Sequence, residues 1–207
     1  CEPGVLIPRP ETEVLVDVAL AGVDEAAPNA DGEVRVLEVG VGTGCISLSI
    51  ATERPQTHVY ATDLSPKAIA LATRNRDALD LQERVELIEC DLVEGVPVEL
   101  TQSFSVLVSN PPYIPTSVLE QEVPAEVKGF EPELALDGGE DGLDVYRRLL
   151  EAAPRMLLPG GMLCIELYEG HLDKAAHLAE EQGVWESVEV KEDLTHRPRI
   201  LVAHLAK

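Results

Sequence analysis

Lysine is scarce in this chain, and positive charge as a whole is outnumbered. Only five of the 16 basic residues are Lys, against 38 acidic residues, which gives a formal net charge of -22. Most of such a surface repels the phosphates of nucleic acid, so a nucleic-acid partner is not expected. The acids are spread along the chain rather than gathered in one block, which favours adaptation to high salt over docking to a basic partner.

Long apolar runs and paired cysteines are also lacking. No stretch approaches the roughly eighteen uncharged apolar residues of a membrane span, and the first residues lack the basic and apolar regions of a signal peptide. We therefore expect a cytoplasmic protein without a membrane partner. Cysteines at positions 1, 45, 90 and 164 show neither CxxC spacing nor clustering with histidine, so no metal site is predicted.

The length and the order of the segments predict one α/β domain. A chain of 207 residues with 45% hydrophobic content can bury one substantial core. A helix is expected to begin near residues 9–13, with Pro10 in its first turn. Strands are predicted at 34–39, 58–62, 84–90, 103–109 and 162–167, and helices at 44–53, 66–79, 143–158 and 172–182. This alternation is typical of a parallel sheet covered on both faces.

Two regions depart from the alternation. Residues 186–191 and 200–204 are strand-like and closely spaced, which predicts a hairpin that adds an antiparallel strand to the sheet. Residues 114–141 form a long segment that contains Pro115, Pro124 and Pro132 and runs into the glycine-rich tract 138–142. Because long loops in compact domains are usually functional or disordered, we interpret this segment as a cover that faces the substrate.

A glycine loop follows the first strand. Gly40, Gly42 and Gly44 allow close backbone approach to a ligand, and the next helix offers its N-terminus to negative charge. The spacing differs from the dinucleotide fingerprint G-x-G-x-x-G because the third glycine comes one position early, which argues against NAD. Asp63, followed by Leu64, ends the second strand where ribose hydroxyls are held, in NAD and in S-adenosylmethionine (SAM) alike.

Acidic residues mark two further strands. Asp91 follows the third strand and can accept a hydrogen bond from an exocyclic amine such as that of adenine, against which Leu92 can pack. Glu38 lies within the apolar first strand, where an unpaired carboxylate is costly. We expect Glu38 to orient the amino-acid end of a cofactor, directly or through water.

The run 104–108 ends in Asn110-Pro111-Pro112-Tyr113. This string offers rigid hydrogen-bond acceptors and an aromatic ring that suit a planar amine or amide. With the glycine loop, it indicates methyl transfer to nitrogen. Hydride transfer has no use for such a string, which further disfavours a dehydrogenase.

The sequence resembles the HemK/PrmC family of protein-(glutamine-N5) methyltransferases along nearly its whole length. The matching strings are residues 5–13 (Val-Leu-Ile-Pro-Arg-Pro-Glu-Thr-Glu), 38–44 (Glu-Val-Gly-Val-Gly-Thr-Gly), 109–114 (Ser-Asn-Pro-Pro-Tyr-Ile) and 130–132 (Phe-Glu-Pro), with Asp193-Leu194 and Arg199 near the end. Adenine-N6 methyltransferases share Asn-Pro-Pro-Tyr, so the string 5–13 is what distinguishes the glutamine-N5 family from them. The resemblance implies a class I, Rossmann-like methyltransferase fold with a mostly parallel seven-stranded sheet that ends in an antiparallel hairpin.

The resemblance also implies the reaction and the roles of residues. SAM would donate a methyl group to the glutamine of the Gly-Gly-Gln loop in a peptide-chain release factor, leaving S-adenosylhomocysteine. The Asn110 side-chain oxygen, which also borders the cofactor, and the Pro111 carbonyl would accept the two N–H bonds of the amide. Tyr113 would stack on that amide beside Pro112. The substrate slot would be shaped by Arg9, Phe130 and Glu131.

Bacterial members of this family usually carry a helical N-terminal domain that helps to bind the release factor, and this chain begins just before the first matching string. We therefore expect residues 1–207 to be the catalytic domain, and Cys1 in place of Met favours a fragment. Shorter relatives work with a small activating partner, so such a subunit is a further hypothesis. Two other functions stay open: adenine-N6 methylation of DNA or RNA, and a SAM-binding scaffold without activity.

Overall fold

A computed structural model describes residues 1–29, 31–121 and 130–207. The helices of this part are α1 (Thr12–Glu25), α2 (Cys45–Glu53), α3 (Pro66–Ala78), α4 (Thr116–Gln121), α5 (Asp144–Met156) and α6 (Leu172–Gln182). The strands are β1 (Val34–Val39), β2 (Thr57–Asp63), β3 (Val85–Glu89), β4 (Phe104–Ser109), β5 (Leu157–Glu166), β6 (Trp185–Glu192) and β7 (Pro198–Leu205). Short 3-10 turns lie at Val98–Leu100, Glu133–Ala135 and Glu169–His171.

The strands form one sheet in the order β3-β2-β1-β4-β5-β7-β6. The first five strands of the chain run parallel, while β7 is antiparallel to both β5 and β6. The α/β class, the strand order and the final hairpin confirm the fold that the sequence predicts. No helix in the described part of the chain is long and apolar enough to cross a membrane.

The central strand β4 is buried on both faces, so its successive side chains enter different cores. Val106 and Val108 pack in one core with Leu15 of α1, while Leu107 packs in the other with Leu149 of α5. Helices therefore cover both faces, which leaves the ends of the strands as the place where a ligand can reach the sheet.

The carboxyl ends of the parallel strands lie along one edge of the sheet. The chain leaves β1 at Gly40, β2 at Asp63 and β4 at Asn110, and β5 ends at Glu166. The strand order reverses at β1, which lies between β2 and β4. Open α/β sheets bind ligands at such a reversal point, outside the carboxyl ends of the strands.

Some predicted boundaries were wrong. Pro10 is not in the first turn of α1, because the helix begins at Thr12 with Glu11 as its N-cap. The fifth strand begins at Leu157 rather than 162, since Leu157 already has extended backbone and pairs with Phe104. The predicted cover contains α4 and the turn Glu133–Ala135, while residues 122–129, including Pro124, lie outside the described part.

Candidate active site

The glycine loop after β1 is held in a conformation that only glycine adopts readily. Gly40, Gly42 and Gly44 have φ angles of 83°, 54° and 85°. A Cβ on Gly40 would meet no atom within 4 Å, whereas one on Gly44 would lie 3.0 Å from Leu48 Cδ1. Gly40 therefore borders open space that a ligand can fill, and Gly44 allows the loop to pack closely on α2.

Asp63 joins the glycine loop to the start of α3. Its Oδ2 accepts a hydrogen bond from the Gly42 N–H at 2.9 Å, and its Oδ1 accepts one from the Ser65 N–H at 2.8 Å. Burial raises the pKa of Asp63, although the two backbone donors favour its charged form. The neighbouring Leu64 is 51% exposed. A carboxylate with lone pairs left and an exposed leucine beside it suit a ribose and a purine.

The turn after β3 forms the next part of the wall. Leu92 has a positive φ of 48°, and its carbonyl accepts a hydrogen bond from Thr62 Oγ1 at 2.6 Å. Asp91 is paired with Arg148 of α5 through a 2.7 Å contact between Oδ2 and an arginine nitrogen. This arginine was not predicted, and it fixes the carboxylate that we expected to face the adenine.

These elements surround one cavity of about 460 Å³. Nine predicted site residues line it: Gly40, Gly42, Asp63, Leu64, Asp91, Leu92, Asn110, Pro111 and Pro112. Residues 4–6 and 132–135 also line the cavity, so part of the predicted cover does face it. The volume falls within the roughly 300–1,000 Å³ of small-molecule sites, and the residues present fit a nucleoside cofactor.

Asn110 follows the carboxyl end of β4, and the nitrogen of its side-chain amide is bound by a neighbouring side chain. Its Nδ2 donates a hydrogen bond to Thr12 Oγ1 at 3.2 Å, and Thr12 Oγ1 donates to Glu166 Oε2 at 2.9 Å. An amide fixed through its nitrogen directs its oxygen to the opposite side. Because Asn110 also lines the cavity, this arrangement makes it an acceptor site for a donor group of the ligand.

The rest of the Asn-Pro-Pro-Tyr string divides between the cavity and the core. Pro111 and Pro112 line the cavity, but Tyr113 does not and packs instead against the core beneath α5. Burial raises the pKa of Tyr113 to about 12, and the charge of Glu166 adds to the effect. Its stacking on a substrate amide stays a prediction.

Gly142 supports Tyr113 from the loop before α5, and this contact predicts the effect of a substitution. Gly142 has a φ of 75°, and an added Cβ would overlap the Tyr113 carbonyl oxygen and the His171 ring. We expect Gly142→Ala to lower the free energy of unfolding by about 1–3 kcal/mol through backbone strain. The overlap should lower the free energy of unfolding further. Gly32→Ala is the control, since Gly32 has a φ of 86° and open space around it. Equal losses in urea unfolding would show that the overlap does not matter.

The predicted slot residues fasten the N-terminal segment rather than line the cavity. Arg9 pairs with Glu131 at 2.7 Å, and Glu131 Oε1 also accepts from the Ile7 N–H at 3.1 Å. Glu131 is buried, whereas the Phe130 side chain is 62% exposed. The Phe130 carbonyl accepts from the Gly4 N–H at 2.8 Å. Their contact with a substrate stays a prediction.

Glu38 lies behind the glycine loop and not on the cavity wall. Its Oε2 accepts hydrogen bonds from the backbone N–H and the hydroxyl of Ser47, while Oε1 has no partner among the described residues. Burial raises the pKa of Glu38 to about 8, with a smaller contribution from the charge of Asp63. Its expected contact with the amino-acid end of a cofactor stays a prediction.

The raised pKa of Glu38 predicts a loss of stability at high pH. A carboxyl whose pKa rises from 4.5 to about 8 on folding stabilises the protein fully below pH 4.5. That contribution is lost as the pH rises through 8. Glu38→Gln keeps an acceptor for Ser47. For this variant we expect the free energy of unfolding, measured in urea, to decline less steeply between pH 4.5 and about 8 than in wild type. Glu53→Gln on the surface is the control, and parallel profiles for wild type and Glu38→Gln would contradict the prediction.

Three residues of this site were not found from the sequence. Thr12 is the first residue of α1 and Arg148 lies on the face of α5 that meets the turn after β3. Glu166 is the last residue of β5, the same position that drew attention to Asp63 in β2. An acid that closes an apolar strand was therefore the signal for Glu166. Thr12 lies within the matching string 5–13 but had no role assigned to it, and nothing in the local sequence marks Arg148.

Known proteins resemble this chain in sequence. The family model described as "Methyltransferase small domain" matches residues 21–127. The release factor glutamine methyltransferase of Clostridium acetobutylicum is 38% identical over 205 residues, which cover 98% of this chain and 68% of that protein. The protein of the same name from Geobacter sulfurreducens is 45% identical over 181 residues, covering 87% of this chain and 59% of its own length. The chain thus spans about three fifths to two thirds of these relatives.

Solved structures share the fold at low identity. A methyltransferase from Pyrococcus furiosus is 20% identical with a TM-score of 0.63, and the match covers 93% of this chain and 83% of that one. The ribosomal protein L11 methylase from Lactobacillus delbrueckii subsp. bulgaricus is 18% identical with a TM-score of 0.63, covering 99% and 83%. These structures support the methyltransferase fold.

Proposed function

The chain belongs to the release factor glutamine methyltransferase family, and from this membership we propose that it methylates the side-chain nitrogen N5 of a glutamine in a peptide-chain release factor. The glutamine would be that of the Gly-Gly-Gln loop. The methyltransferase class itself is shown by the relatives and by the family model. The observation that carries the finer proposal is the fixed amide of Asn110, whose nitrogen is bound to Thr12 and whose position is on the cavity wall.

The wall residues have the chemistry to hold SAM. Asp63 would accept from the ribose hydroxyls and Asp91 from the adenine amine, with Leu64 and Leu92 against the purine ring. Gly40 and Gly42 would allow the amino-acid end to approach the backbone, near Glu38 behind the loop. When bound, SAM supplies a methyl group on a positively charged sulfur.

The substrate amide would be held by two acceptors. Its nitrogen is a poor nucleophile because its lone pair is delocalised into the carbonyl. The Asn110 Oδ1 and the Pro111 carbonyl would accept its two N–H bonds, which favours the pyramidal nitrogen of the transition state. Two consecutive prolines fix the backbone there, so little reorganisation is needed when the substrate binds. The proton can leave after methylation, when the nitrogen has become acidic, so no general base is assigned.

The remaining assignments follow from the same premise. Pro112 and Tyr113 would flank the glutamine side chain, while the paired Arg9 and Glu131 and the exposed Phe130 would shape the entrance. We propose that the chain forms one catalytic domain that acts in the cytoplasm, where release factors work. A small activating subunit is a second proposal about partners, which the assay below can include.

Adenine-N6 methylation of DNA or RNA is the second candidate, because an exocyclic amine has the same two N–H bonds. The net charge of -22 disfavours it, since phosphates approach an acidic surface poorly. A scaffold that binds SAM without transfer is the third. The ordered acceptor site disfavours this role, because binding alone does not need it.

Mass spectrometry of a release factor incubated with the protein and SAM tests the proposal. A mass increase of one methyl on the Gly-Gly-Gln glutamine is expected. Transfer to adenine in an oligonucleotide, with none to the release factor, would instead establish the second candidate. SAM binding measured by calorimetry without transfer to either would favour the scaffold, and the assay would then be repeated with a candidate subunit.

A further inference from the structure

Three polar side chains meet at the acceptor site, two of them buried and Asn110 half-buried, and they come from distant parts of the chain. Asn110 follows β4, Thr12 begins α1 and Glu166 ends β5. The contacts between them span 98 and 154 positions in sequence. Thr12 is 5% exposed and Glu166 1% exposed. Burying the polar groups of Thr12 and Glu166 is costly unless each has a partner, so their arrangement calls for a role.

The Glu166 carboxylate fixes the direction of the hydrogen bonds among these three side chains. An ionised carboxylate can only accept, so the Thr12 hydroxyl must donate its hydrogen to Glu166. The hydroxyl oxygen is then left to accept, and it accepts from the Asn110 nitrogen. The asparagine amide therefore presents its NH2 group to the protein and its oxygen to the cavity. A neutral side chain in place of the Glu166 carboxylate would not fix the directions of these hydrogen bonds.

The surroundings of Glu166 act on its pKa in both directions, and the net effect is a rise. Burial raises the pKa of Glu166, and the charge of Glu11 acts in the same direction. The hydroxyl of Thr12, the charge of Arg199 and the Asn110 amide oppose these effects. The Arg199 side chain is itself held in place by Asp193 at 3.4 Å. A fixed cation thus stands near the buried carboxylate.

We propose that Thr12 and Glu166 are positioning residues that fix which way the Asn110 amide faces. This inference rests on the proposed function, because the exposed oxygen matters for the rate only if it accepts from a substrate N–H. In Glu166→Gln the new amide can donate to Thr12, the hydroxyl can turn and donate to Asn110, and the Asn110 amide can flip. In Thr12→Val the link through the hydroxyl is removed at nearly constant volume, which leaves only the weaker direct attraction between the Asn110 amide and Glu166.

Enzyme kinetics with Thr12→Val, Thr12→Ser and Glu166→Gln test the proposal. We expect kcat to fall by about 10- to 100-fold in Thr12→Val and Glu166→Gln, with the Kd of SAM within about 3-fold of wild type. Thr12→Ser keeps the hydroxyl and should retain most of the wild-type kcat. Thr52→Val is the matched control, because its hydroxyl bonds within α2 to the Leu48 carbonyl. A wild-type kcat in Thr12→Val, or equal losses in Thr12→Ser and Thr12→Val, would overturn the inference.

Proton–nitrogen correlation NMR separates failure of this inference from failure of the proposed function. The side-chain NH2 signal of Asn110 is identified by its loss in Asn110→Ala. We expect this signal to shift in Thr12→Val and Glu166→Gln and to stay near its wild-type position in Thr12→Ser. An unmoved signal in both variants would refute the inference whatever the kinetics. A wild-type protein that methylates no glutamine would refute the proposed function, while the NMR result would still decide the network.

Discussion

Replacing Asn110 by alanine is expected to lower kcat for methyl transfer to glutamine by about 100- to 1,000-fold, the loss typical of removing one preorganised group from a charge-stabilising site. The substitution removes the oxygen that accepts from the substrate and leaves Thr12 without its donor. The binding of SAM should change only a few-fold, because the other wall residues, such as Asp63 and Leu92, are untouched.

Single-turnover rates with saturating SAM measure this loss, and calorimetry measures the affinity for SAM. Asn29→Ala is a matched control, since the Asn29 Nδ2 also donates to a protein oxygen, the Ser103 carbonyl, at 3.0 Å. That contact lies at the opposite end of the sheet, before β4 begins. If Asn110→Ala kept more than about a tenth of the wild-type rate, Asn110 would not be the main acceptor.

The predictability of the site depended on where each residue lies relative to a strand. Gly40, Asp63 and Asn110 directly follow or close apolar strands, and the carboxyl ends of parallel strands meet at one edge. Sequence order alone therefore brought them to one cavity, as the structure shows. The same rule, applied to Glu166, would have added it, but the predicted strand continued one residue further and placed Glu166 inside.

The position of a residue at the end of a strand does not predict contacts that are made by helix faces or long loops. The contact of Arg148 with Asp91 depends on the rotation of α5 about its own axis, which hydrophobic periodicity gives only roughly. The pairing of Arg9 with Glu131 joins segments 122 positions apart, and the resemblance that marked both residues says nothing of which way they face. A shared string thus indicated importance without indicating contact.

Asp63→Ala is expected to raise the Kd of SAM by about 100-fold, since hydrogen bonds to a charged group contribute about 1.5–3 kcal/mol each. Two losses combine in this variant. The ribose hydroxyls would lose their acceptor, and the N–H groups of Gly42 and Ser65 would lose the carboxylate that holds the glycine loop against α3. Isothermal calorimetry with SAM and with S-adenosylhomocysteine measures the effect, which should be similar for both because they share the ribose.

Two further variants separate the causes of that loss. Asp63→Asn keeps one acceptor oxygen but turns an NH2 group toward one of the two backbone donors, so an intermediate Kd is expected. Ser65→Ala removes the hydroxyl that caps α3 at the Ala68 N–H and leaves the contact of Asp63 with Gly42 intact. If Ser65→Ala weakened SAM binding as much as Asp63→Ala, the order of α3, and not the carboxylate, would control the affinity.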